Sequence, residues 1–196
     1  MTPDENPKTQ KGSVSCLNLR RQRNVLCVLL ITVCILFHSQ TTLAERTIPD
    51  DVPEWFPVET CLEMMRTLID KYGLSSEGAA SVLGNVCQES KFNPSANSGY
   101  YIGICQWDPY DRWPLIADWI IRNNYSTDSG VAQLEAIFNN AENGRYLDTI
   151  EYMKTVTQIE DGVWRWLNYY EGAPGQQEAE RVYYAYIVLE LYNANQ

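Results

Sequence analysis

A mostly helical α+β domain, broken once by a Gly-rich segment able to form a small β hairpin, is the fold class that the sequence predicts. Three observations predict it. Apolar residues recur with i, i+3, i+4, i+7 spacing over most of the stretch from Val58 to Tyr192. The segment from Asn97 to Trp107 instead shows short alternation, with Ile102 and Ile104 set against Tyr101, Cys105 and Trp107. The composition, 45% hydrophobic and 12% aromatic over 196 residues, is too apolar for a disordered chain and suits one compact domain.

The elements follow in order. Residues 1–44 read as a targeting segment: a polar stretch, the basic cluster Arg20, Arg21 and Arg23, then an apolar run over 25–37. That run is short of the roughly 20 residues a spanning helix needs. Thr42-Leu43-Ala44 ends on a small residue suited to signal cleavage before Glu45, so a cleaved signal peptide is expected, with an uncleaved signal anchor as the alternative. Either way the domain is expected outside the cytoplasm, secreted or held to a membrane only through residues 25–37. Residues 45–57, with Pro49, Pro53 and Pro57 among acidic residues, read as an extended lead-in to a domain over 58–196.

Val58, Cys61, Leu62, Met65, Leu68, Ile69 and Tyr72 mark a first helix stopped by Gly73. Ser75 or Ser76 can cap a second with Ala79, Val82, Leu83 and Val86 on one face, ended by Phe92-Asn93-Pro94. Pro114 suits the first turn of a helix carrying Leu115, Ile116, Trp119 and Ile120. Val131, Leu134, Ile137 and Phe138 form another stripe, and residues 146–153 a shorter helix. Thr157-x-x-Glu160 matches a capping box opening a helix through Ile159, Val163, Trp166, Leu167 and Tyr170 to Gly172. The last helix, about 177–192, is expected to face inward with Ala179, Val182, Tyr183 and Tyr186.

Charge and residue types narrow the function. The chain has 15 Lys and Arg against 25 Asp and Glu; without the first 44 residues, which hold five and two of these, 10 basic and 23 acidic residues remain, a net −13. Such acidity argues against a nucleic-acid partner. The single histidine, His38, lies in the leader, so the domain has no imidazole for a Ser-His-Asp or Cys-His site or a His-ligated metal. Acid–base chemistry then falls to carboxylates, Tyr or Lys, with no metal or organic cofactor expected. Of the three domain cysteines, Cys61 reads as a small core residue, and Cys87 with Cys105 is the favoured disulfide, although spacing does not fix connectivity.

Glu89 is the unusual residue. It follows Val82 by seven and Val86 by three positions, so a continuous helix sets its carboxylate on the apolar face near the helix C-terminus. Burial and the negative end of the helix dipole both favour the protonated form, as a general acid requires. The structural alternative is a Glu paired with Arg112 or Lys91.

The run Gly78-Ala-Ala-Ser-Val-Leu-Gly-Asn-Val-Cys-Gln-Glu-Ser-Lys-Phe-Asn-Pro94, then Gly103-Ile-Cys-Gln-Trp107 and Arg112-Trp113, resembles the phage tail lysozyme family. Tyr169-Tyr170-Glu171 with Arg181 and Ala185 resembles that family's Tyr-Glu segment and final helix, so the likeness covers about 61–191. The resemblance implies a lysozyme-like fold and a muramidase acting on the β-1,4 links of the peptidoglycan glycan strand. By matching position it makes Glu89 the catalytic acid and sets Gln106 and Trp107 along the sugar groove, with Tyr101 and Tyr170 as further substrate-binding candidates. Asp108 is the candidate second carboxylate, with a turn or cap role as its alternative. Two other functions stay open: a lytic transglycosylase using Glu89 alone, and a non-catalytic glycan-binding module of the same shape.

Overall fold

A computed structural model describes residues 49–50 and 52–196. The leader over 1–44, with its apolar run, and the start of the lead-in lie outside the described residues. All described residues fall in one compact unit, and none of their helices is long and apolar enough to cross a membrane. They form seven α-helices: α1 Val58–Arg66, α2 Ser76–Ser90, α3 Trp113–Arg122, α4 Gly130–Phe138, α5 Leu147–Met153, α6 Ile159–Trp166 and α7 Glu178–Ala194. Two are extended by a single π-helical turn, α1 through Thr67–Lys71 and α6 through Leu167–Glu171.

α2 is the axis of the molecule. Every residue from Gly78 to Cys87 is buried, because α2 packs most extensively on α7, then on α6, with α1 also against it. A helix can be enclosed on so many sides only if its side chains are small where neighbours approach. A Cβ on Gly84 would lie 2.5 Å from the Arg181 carbonyl oxygen and 2.7 Å from Ala185 Cβ; on Gly78 it would collide with the Met153 carbonyl. Ser81 donates to the Ile159 carbonyl oxygen at 3.1 Å, joining α2 to the start of α6. Ser75 caps α2, its hydroxyl accepting from the Gly78 N–H at 3.0 Å. The other end closes on Lys91 (φ 55°) and Phe92 (φ 61°), two successive left-handed non-glycine residues that turn the chain sharply just beyond Glu89.

The Gly-rich segment is not a hairpin. It makes two isolated antiparallel bridges, Asn97 with Ile102 and Ile102 with Trp107, and there are no strands among the described residues. Gly103 (φ 78°) and Gln106 (φ 47°) reverse the chain within four residues, leaving one paired position on each side of the turn. Side chains anchor this loop in place of a ladder. Buried Gln133 accepts from the Ile104 N–H at 2.9 Å and donates to the carbonyls of Pro94 and Thr127 at 2.8 and 2.6 Å, while Ser90 donates to the Ile104 carbonyl at 2.9 Å.

Three other expectations need correction. The expected Cys87–Cys105 disulfide is absent: Cys61, Cys87 and Cys105 are all free, buried thiols. Cys87 lies within electrostatic reach of Cys61, Lys91 and Tyr184, whereas Cys105 feels Glu89, Glu142, Glu171 and Arg112, so the two sulfurs answer to different neighbourhoods. α6 starts on Gln158 with no side-chain cap, leaving Thr157 one residue too early to serve as its cap. α7 turns Arg181, Ala185, Ile187, Val188 and Leu191 inward, while Ala179, Tyr183 and Tyr186 face solvent. Tyrosines at 183, 184 and 186 blur its apolar stripe, and the approach to Gly84 selects the face carrying Ala185.

Candidate active site

Glu89 sits in the last turn of α2, where the chain has left the densest part of the core. Its side chain is 19% exposed, and Oε1 accepts from Arg181 Nη2 at 2.5 Å. Arg181, on α7, is 3% exposed on its side chain and is fully engaged: Nε donates to the Gln176 carbonyl at 3.0 Å and Nη1 to Asn85 Oδ1 at 3.1 Å. Asn85 lies one turn before Glu89, and its amide in turn donates to the Ser81 carbonyl at 2.9 Å. A carboxylate at a helix C-terminus opposes the dipole, and the buried guanidinium offsets that penalty. Arg112 and Lys91, the partners considered from sequence, do not hold it.

A second carboxyl shares this neighbourhood. Glu171 ends the π turn after α6, directly before Gly172 (φ 69°), and its Oε1 accepts from Trp166 Nε1 at 3.0 Å. Burial of the carboxyl, and next the charge of Glu89, push Glu171 up from the usual 4.5 to about 8, against the opposing pull of Arg112 and Arg181. π turns often mark functional positions.

Beneath the pair runs a buried polar chain. Trp107 Nε1 donates to the Tyr170 hydroxyl at 3.0 Å, and that hydroxyl donates to Glu142 Oε2 at 3.0 Å. Glu142 also accepts from Arg112 Nε at 2.6 Å and Nη2 at 3.3 Å, and Arg112 Nη1 donates to the Tyr170 carbonyl at 3.0 Å. Every member has a partner, which makes the chain a rigid floor rather than a liability.

A family model for phage tail lysozymes matches residues 59–192. The chain belongs to the phage tail lysozyme family. No curated protein matches it. Family membership implies a glycosidase-type, lysozyme-like activity on peptidoglycan. Among the described residues no cluster of three His, Cys, Asp or Glu is arranged to hold a metal ion.

In this member of the family, residues picked out from sequence separate into two sets. Glu89 opens to solvent, as do Tyr101, 50% exposed, and half-buried Gln106, whose side chain ties the loop by donating to the Gly103 carbonyl at 3.0 Å. Trp107 and Tyr170 are each 1% exposed. Trp107 stacks on Trp113 at 5.9 Å and Tyr170 on Trp166 at 4.1 Å, so neither ring offers a free face to a sugar. Asp108 behaves as a turn residue, Oδ1 accepting from the N–H groups of Tyr110 and Asp111 at 2.7 and 2.9 Å. Sequence reasoning named Glu171 and Arg181 only within the resemblance, gave neither a chemical role, and did not single out Glu142. The available signal was an arginine, Arg181, four residues before Ala185 and so in register with the small apolar residues of its helix.

Proposed function

We propose that the protein is a muramidase that hydrolyses the β-1,4 bond between N-acetylmuramic acid and N-acetylglucosamine, with Glu89 donating a proton to the leaving sugar oxygen. The observation that carries this reading is the placement of Glu89: the partly exposed carboxyl at the end of an otherwise enclosed helix, oriented by Arg181 and Asn85, above a fixed polar floor. A pure glycan-binding module has no need of such a carboxyl. The Tyr170 hydroxyl, engaged with Glu142 and Trp107, belongs to that floor and leaves Glu89 as the carboxyl that meets the substrate. The substrate lies outside the cytoplasm, in keeping with a leader over 1–44 that directs or anchors the domain there.

Glu89→Gln keeps the side-chain shape but cannot donate the proton, so release of soluble fragments from purified peptidoglycan is expected to fall by roughly 10²–10⁴-fold with the helical circular dichroism retained. Mass analysis of the parental products is expected to show reducing ends; 1,6-anhydro ends would replace the hydrolase by a transglycosylase. Near-parental turnover in a folded Glu89→Gln variant would remove Glu89 from the mechanism.

A further inference from the structure

An open cleft of about 440 Å³ lies between the last two turns of α3 and the turn that joins α4 to α5, and Glu89 is not among its walls. Its size falls within the about 300–1,000 Å³ of ordinary small-molecule sites. One wall is α3. Leu115 and Trp119 give it an apolar surface, with Trp119 half-buried and stacked on Tyr125 at 6.0 Å. The Trp119 indole N–H has no partner among the described residues and is not buried, so it is free to donate. Asp118 and Arg122, one turn apart on the same helix, pair with each other and leave this wall without net charge.

The other wall is built from asparagines. Asn140 (φ 62°) and Asn143 (φ 55°) both take the left-handed conformation that asparagine tolerates better than most residues. Between them in sequence, buried Glu142 bonds to Arg112 and Tyr170, which fastens the turn from within. Asn140 Oδ1 accepts from the Gly144 N–H, which leaves its NH2 group to donate. Asn123 Nδ2 donates to the Trp119 carbonyl at 2.8 Å, which leaves its Oδ1 to accept. The Asn143 amide is spent on none of the described residues. An ion would find no net charge here, and a purely apolar ligand would displace water from the amides without replacing its hydrogen bonds. A pyranose ring, with one apolar C–H face and a rim of hydroxyls, meets both kinds of surface.

We propose that this cleft is a second saccharide-binding site, apart from the one at Glu89, which takes one uncharged pyranose ring of a glycan chain against Trp119 and hydrogen-bonds it through Asn123, Asn140 and Asn143. Such a site gives the domain a hold on a glycan chain that is independent of the bond being cut. The anchored turn and the self-paired charges leave little to rearrange when the sugar enters.

Titration of the parental protein with the β-1,4-linked trimer of N-acetylglucosamine, followed by ¹H–¹⁵N NMR, tests this. The Trp119 indole N–H and the side-chain amides of Asn123, Asn140 and Asn143 are expected to shift together with one midpoint. Trp119→Ala, read at the asparagine amides, is expected to lose saturable binding. Asn143→Gly changes an exposed residue, suits the left-handed backbone and leaves the core untouched; the midpoint read at Trp119 is expected to rise at least threefold. No shift at Trp119 up to the solubility limit of the trimer overturns the proposal, as does an unchanged midpoint in folded Asn143→Gly. If the stem tripeptide of peptidoglycan shifts these signals and the trimer does not, a peptide site replaces the saccharide site. The readout involves no turnover, so it is separate from the muramidase reading: a protein that never cleaves peptidoglycan still shows, or fails to show, the Trp119 response.

Discussion

Glu89 and Arg181 form a contact whose two ends differ: the carboxylate reaches solvent, and the guanidinium does not. Neutralising the acid therefore leaves a buried cation with a weaker partner. Sequence reasoning about Glu89 alone expects relief from removing an ionisable group near the core. The pairing reverses that sign, and Glu89→Gln is expected to unfold at a lower denaturant concentration than the parent, by about 1–3 kcal/mol. Glu171 carries the opposite lesson. The folded chain keeps its proton to about pH 8 while the unfolded chain loses it near 4.5, so the folded state binds more protons across that window and stability falls as pH rises through it. A Tm scan is expected to show the parent losing roughly 5–10 °C between pH 5 and 8.5, and Glu171→Gln losing much less. Glu89 was legible because a charged residue interrupted an apolar stripe. Glu171 was not, since only the fold reveals that the last turn of α6 brings it to the end of α2.

At the level of helices, spacing located nearly every one, because long apolar stripes with serine starts and glycine stops leave little freedom. Ser75, Gly73, Pro114 and Gly172 all act as read. Faces were harder where a helix is enclosed all round or ringed with tyrosine, as α2 and α7 show. What sets their register is the close approach at Gly84, which periodicity does not contain. Gly84→Ala would press a methyl group against the Arg181 carbonyl and Ala185, prising α7 from α2 at the position that orients Glu89. A loss of about 1–3 kcal/mol in urea unfolding is expected, with kcat reduced more than KM is raised. Trp107 shows a different limit: an aromatic in a Gly-rich loop beside a candidate acid reads as a sugar platform, but the loop folds inward and gives its ring to the core. Tyr170→Phe tests that floor. With the hydroxyl gone, Trp107 Nε1 loses its acceptor in a buried setting, and about 1–3 kcal/mol of stability should go with it.

For the whole molecule, the sequence carried the helical class and the place of Glu89 at the end of α2, each being a matter of composition or period. It did not carry the state of the sulfurs, because pairing depends on which neighbours each thiol meets once the fold has formed. Cys61, Cys87 and Cys105 are filler atoms in the interior, with burial pushing Cys87 up to about 12 and the other two well above their usual range. The domain is therefore blind to the redox poise of its surroundings. Dithiothreitol should leave its melting temperature unchanged, and a thiol-alkylating reagent should label these cysteines only after denaturation. A domain so built keeps one covalent structure in reducing and oxidising surroundings alike, with no thiol–disulfide exchange needed to pass between them and its interior chemistry the same in both.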